Sequence, residues 1–210
     1  MSDQRRRLEK VLRGCAEGWT PQTTDPWPAI RERVDGTATS ATEPEPWATF
    51  NLGFIFDRQG EYDLAVGAYQ QVIALEHPEA APRAAFNLGI LFEGHGEYDL
   101  AEEAYQQAID SGHSEWAPKA VFNLGMLLEE RKEYDLSVEA YQKAIASEHS
   151  DAASKARLNL GVLLEQRGAY DLAEEAYQQA INSGHPEVAP EAMRNLRGLP
   201  MRFSKRIRRG

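Results

Sequence analysis

Cysteine is nearly missing from this chain, Cys15 being the only one. One thiol closes no internal disulfide and builds no cysteine-based zinc cluster. Such usage fits a reducing, cytoplasmic setting. Long apolar runs are missing too. None approaches the ~18–20 residues that cross a bilayer, so no membrane span is expected. The opening MSDQRRRLEK has basic residues with no apolar stretch behind them, unlike a secretory leader. Common chemical signatures are absent: no G-x-x-x-x-G-K-[ST], no G-x-S-x-G and no H-E-x-x-H. Cys15 lies in a short basic segment without a nearby His, and reads as a plain thiol rather than a nucleophile. No enzyme activity and no cofactor are expected.

Positive charge is scarce through the middle. Residues 43–193 carry 9 Lys/Arg against 27 Asp/Glu, whereas residues 194–210 carry 7 Lys/Arg and no acid. The net charge of −10 therefore combines an acidic body with a basic tail, Arg202-Phe203-Ser204-Lys205-Arg206-Ile207-Arg208-Arg209. That tail suits a salt-sensitive contact with an anionic surface, including the acidic body of its own or a neighbouring molecule. The acidic body opposes nucleic acid, which is not an expected partner.

What is present is repetition. Phe50-Asn51-Leu52-Gly53 returns as Phe86-Asn87-Leu88-Gly89, Phe122-Asn123-Leu124-Gly125 and Leu158-Asn159-Leu160-Gly161, each step 36 residues. Tyr62-Asp63-Leu64 and Ala68-Tyr69-Gln70 recur in the same register. Repeats one and three share Val66 and Val138, while two and four share Glu102 and Glu174, a pattern that duplication of a 72-residue pair explains.

Each unit reads as two helices. In repeat two the first spans about Pro82 to His95, with Ala85, Leu88 and Phe92 on one stripe. Pro82, Pro118 and Pro190 suit a first helical position. Gly96 suits a left-handed stop; Lys132, in the same place in repeat three, would pay roughly 1 kcal/mol for that conformation. The second helix spans about Glu97 to Ser111, with Ala101, Ala104, Tyr105 and Ala108 as its stripe. Mid-helix Gly53, Gly89, Gly125 and Gly161 cost ~1 kcal/mol each against Ala. Their recurrence implies close helix approach, with Tyr69, Tyr105, Tyr141 and Tyr177 filling the space. Pairs this short cannot bury an apolar face alone, so they must stack.

Residues Ala85, Leu88-Gly89, Phe92, Gly96-Glu97-Tyr98, Ala101, Tyr105 and Ala108 resemble the tetratricopeptide repeat. The resemblance covers residues 46–189 as four units, 46–81, 82–117, 118–153 and 154–189. It departs in two ways. The period is 36 rather than the family's ~34, and His113 stands where a helix-ending Pro is usual. The segment from Ser111 to Ala120 is also similar to Sel1-like repeats. Either family implies an all-α, right-handed solenoid. Residues 1–45 read as a helical extension and linker that caps the first repeat, with Trp19 and Trp27 available for the contact. Residues 190–210 read as a capping helix and basic tail, with Arg197 where the repeat glycine would be.

The resemblance further implies that the first helices line a concave groove for another protein or peptide. Four rows are carried over: Arg83, Lys119 and Lys155, preceded by Trp47; Asn51, Asn87, Asn123 and Asn159; Phe54, Ile90, Met126 and Val162; and Asp57, Glu93, Glu129 and Glu165. Positions 83, 87 and 90 share one helical face. An Asn both donates and accepts, so an Asn ladder can hold a peptide backbone, although such residues also bond within a repeat stack. The apolar row would take ligand side chains and the acidic row a Lys or Arg, giving a basic or amphipathic ligand. Capture of a C-terminal carboxylate is not expected, because Phe86, Phe122, Ile90 and Met126 occupy the sites that need basic residues. His77, His113, His149 and His185 also recur, but equivalent residues in stacked helices sit some 8–10 Å apart, too far to share a metal. They are expected near helix C-termini, bonding free carbonyls. Glu102-Glu103 and Glu174-Glu175 read as a solvated face. The alternative function is a self-assembling scaffold, since near-identical units can add head to tail.

Overall fold

A computed structural model describes residues 46–147 and 149–200. The expected extension helices, Cys15, Trp19, Trp27 and the tail lie outside the described residues. The chain divides into two units, residues 1–48 and 49–210.

Every regular element among the described residues is a helix: α1 Pro46–Arg58, α2 Tyr62–Ala74, α3 Ala80–Gly94, α4 Tyr98–Asp110, α5 Trp116–Glu130, α6 Tyr134–Ala146, α7 Ser150–Gln166, α8 Tyr170–Asn182 and α9 Val188–Gly198. Odd numbers are first helices of a repeat and even numbers second helices. From α2 onward each helix packs on the next, and α3, α5, α7 and α9 also pack on one another in turn. This is an all-α solenoid.

The turn inside each repeat is closed by its backbone. In repeat two the Gly96 N–H donates to the Glu93 carbonyl at 3.0 Å and the Glu97 N–H to the Phe92 carbonyl at 2.9 Å, the pair of bonds that a left-handed residue after a helix makes possible. Lys132 adopts the same conformation, with φ 64°, as expected from its place in the repeat.

The turn between repeats corrects two expectations. The histidines do not serve the helix behind them; they cap the helix ahead. The His113 carbonyl accepts from Ala117 N–H at 3.0 Å, which opens the next helical ladder. Its Nδ1 accepts from Glu115 N–H at 3.1 Å and Trp116 N–H at 3.4 Å, and the Nδ1 of His77, His149 and His185 accepts from the N–H three residues on, that of Ala80, Ala152 and Val188. Imidazole thus replaces the usual Asn or Ser in satisfying orphan N–H groups. The prolines, in turn, sit third in the regular helix rather than first: Pro82 in α3, Pro118 in α5 and Pro190 in α9. Without its N–H, proline skips one rung of the ladder that the histidine began. Repeat four has Ser154 there instead, and α7 runs unbroken for 17 residues where α3 and α5 have 15.

Alanine is the commonest core residue, packed with four tyrosines and with Leu, Phe and Val side chains such as Leu127, Leu163 and Val72. Tyr69, Tyr105, Tyr141 and Tyr177 are each 0% exposed. Each ring lies on the mid-helix glycine of its own repeat: a Cβ on Gly89 would come within 2.5 Å of Tyr105, and one on Gly125 within 2.7 Å of Tyr141. The glycine is therefore the seat of the ring, as the sequence implied. In α9 the equivalent position is Arg197.

Candidate binding groove

Phe54 and Ile90 stand on the first-helix face at 46% and 44% exposure. Met126 and Val162 continue the row half-buried. On the second helices Leu100, Leu136 and Leu172 form a separate exposed row.

The flanking rows are partly engaged in holding the stack. The Tyr105 hydroxyl donates to Glu93 at 2.5 Å and accepts from the Asn123 amide at 3.4 Å. Tyr141 donates to Glu129 at 2.9 Å, and Tyr177 to Glu165 at 2.7 Å. The facing amides of Asn159 and Asn195 ease ionisation of these two phenols. Each junction thus links a carboxylate, a buried phenol and an amide from the following repeat. Burial first, and then the adjacent carboxylate, push all three phenols well above the ordinary tyrosine value, so they remain neutral donors. The first junction differs. Asp57 is one methylene shorter than Glu, and the buried Tyr69 hydroxyl makes no hydrogen bond of normal length. Burial pushes Tyr69 up to about 12, with Asn87 opposing the shift and the Asp57 charge adding to it. Asn51 has no preceding repeat phenol and is exposed.

The basic row is held locally. Arg83 lies 4.7 Å from the Phe50 ring centre and 5.3 Å from that of Trp116. Lys119 sits 4.4 Å over Trp116 and 2.8 Å from Glu115, and Lys155 lies 3.1 Å from Asp151. Trp47 is 38% exposed.

Four members of the expected rows converge in one open cleft of about 440 Å³, lined by Met126, Glu129, Asn159 and Val162 together with Glu130, Tyr134, Tyr141 and Gln166. Sequence reading missed the last four. Tyr134 was visible only as the counterpart of Tyr62 in a repeated string, and Glu130 carried no signal of its own. What unites them is position: α5 and α7 end here and α6 begins. Arg167 rests 6.0 Å over the Tyr134 ring at one edge. Among the described residues no group of His, Cys, Asp and Glu can hold a metal, and no helix is long and apolar enough to cross a membrane.

Residues 50–115, 86–153 and 122–189 each match the tetratricopeptide repeat family model. The chain belongs to the tetratricopeptide repeat family. Its fold resembles solved structures of MamA: one is 20% identical with a TM-score of 0.59, covering 77% of this chain and 96% of that one. A second MamA structure is 21% identical with a TM-score of 0.54, covering 73% and 84%. A structure titled MamA RS-1 ArsTM double mutant is 17% identical with a TM-score of 0.58, covering 88% and 96%. Likeness at this identity establishes the fold alone. No curated protein matches the sequence significantly. A tetratricopeptide repeat array is a protein-interaction scaffold.

Proposed function

We infer that the groove binds a partner protein through an amphipathic, basic peptide segment. Apolar ligand side chains lie along Phe54, Ile90, Met126 and Val162, and a Lys or Arg reaches the carboxylates beside them. The observation that carries this reading is the exposed, in-register pair Phe54 and Ile90. Glu93, Glu129 and Glu165 each give one carboxylate oxygen to a tyrosine, and the other oxygen serves the ligand. The Asn row contributes less than sequence alone suggested, because Asn123 already bonds a phenol.

The test is peptide selection from a random displayed library on the full chain. Enriched peptides should combine apolar residues with Lys or Arg. They should bind the double variant Phe54→Glu, Ile90→Glu at least about tenfold more weakly, a loss of ~1.4 kcal/mol. Equal binding to that variant, with helix content unchanged, would remove the groove. Head-to-tail assembly draws less support, since α9 ends the array with Arg197 where a second helix needs glycine. A mass that grows with concentration in light scattering would reverse that preference.

A further inference from the structure

The cleft described above is acidic and half apolar, and the chain itself carries a segment of opposite character. Two cleft carboxylates each spend one oxygen on a phenol, Glu129 on Tyr141 and Glu130 on Tyr98, and each keeps the other. Beside them Met126 and Val162 offer apolar surface. Residues 202–209 place Phe203 and Ile207 among Arg202, Lys205, Arg206, Arg208 and Arg209.

Register brings the two together. Gly198, the last residue of α9, stands 36 residues after Val162 and 72 after Met126. The chain therefore leaves α9 at the level where α5 and α7 form the cleft. Adjacent first helices lie ~8–10 Å apart, which puts the cleft roughly 10–20 Å from that exit. Seven residues beyond Gly198 reach Lys205, and an extended chain covers up to ~3.5 Å per residue, enough to arrive.

We propose that the basic segment 202–209 docks in the cleft lined by Met126, Glu129, Glu130, Val162 and Gln166 of its own molecule, and so competes with an incoming peptide. This rests on the groove reading above and names its first occupant. Lys205 and Arg206 meet the carboxylates, and Phe203 or Ile207 covers Met126 and Val162. A tethered segment has an effective concentration near ~1 mM, so the contact holds even when the free peptide binds weakly.

Two measurements on the full chain test this. A zero-length carbodiimide should join Lys205, the sole lysine in 201–210, to Glu129 or Glu130 in the monomer band. A labelled peptide of residues 200–210 should bind the tail variant R206Q/R208Q/R209Q about tenfold more tightly than the wild-type chain. Glu130 and Gln166 are exposed, so Glu130→Lys with Gln166→Lys should abolish both effects without unfolding. If the peptide binds, is lost in that cleft variant, yet binds wild type and tail variant equally with no crosslink, the cleft stands and self-docking is overturned. If the crosslink occurs only in a dimer band, docking within one molecule is overturned. If the 200–210 peptide shows no cleft-dependent binding and no crosslink forms, self-docking is overturned, while the groove reading stands or falls separately on the Phe54→Glu, Ile90→Glu variant.

Discussion

Replacing Gly89 by alanine sets two effects of opposite sign against each other. Helix propensity favours alanine by ~1 kcal/mol at an interior position. Packing opposes it. The new methyl would sit 2.5 Å from both Cδ1 and Cε1 of Tyr105, where carbon atoms rest at roughly 3.5–4.0 Å, so ring or helix must shift by about 1 Å. The ring is 0% exposed, and its hydroxyl is held by Glu93 at 2.5 Å and Asn123 at 3.4 Å. A shift strains bonds worth ~1 kcal/mol or more, on top of an overpacking cost of about 1–3 kcal/mol. The expected net result is a loss of about 1–3 kcal/mol, read as a lower urea midpoint by far-UV circular dichroism at unchanged slope. Gly67→Ala is the control. A Cβ there meets nothing within 4 Å, so propensity acts alone and the midpoint should rise. If Gly89→Ala matches or exceeds wild type, the glycine is not a seat for the ring and the account of the core is wrong.

Three further outcomes follow from the same contacts. Tyr105→Phe should cost about 1–2 kcal/mol by stranding Glu93 and Asn123, whereas Tyr69→Phe, whose hydroxyl is unpartnered, should be neutral or stabilising; equal losses in urea melts would contradict the difference between junctions. Lys132→Gly should raise stability by roughly 0.5–1 kcal/mol, since Lys132 holds φ 64°; a drop would mean its side chain does more than tolerate the turn. Alkali should unfold the array. Unfolded tyrosines ionise near pH ~10 while Tyr69 in the fold is raised to about 12. The native state then holds more protons, so stability is full below pH ~10 and falls as pH climbs from there towards 12. Tyrosinate absorbance should appear together with loss of helix; a gradual rise with helix intact would show that these rings are not sealed.

The solenoid was legible because a repeat states its period outright, and Gly89 with Tyr105 could be paired from recurrence alone. Lys132 was legible for the same reason: a residue that replaces glycine at a helix stop inherits its backbone. The histidines were misjudged because linear distance places His113 close to both helices, and only the backbone path shows which one it caps. Pro82 was placed too early in its helix because the turn ahead of it is opened by His77, and histidine is not a usual cap. The groove rows were half legible. Spacing puts Asn123 and Glu93 among the first-helix rows, but their bonds to Tyr105 cross from one helix to another and depend on stacking distance, which sequence does not print. The cleft was least visible, since Glu130, Tyr134 and Gln166 come from three helices.

Arg197 in the glycine's place has a consequence for how such a chain can lengthen. A duplicated pair of helices inserted before α9 carries its own glycine and the tyrosine that sits on it, so the array extends from within. A lone second helix added directly after α9 finds no such seat, because the Arg197 side chain stands where its aromatic ring would have to lie. Growth by copying whole pairs is therefore open, whereas completing α9 into a pair first requires Arg197 to become glycine.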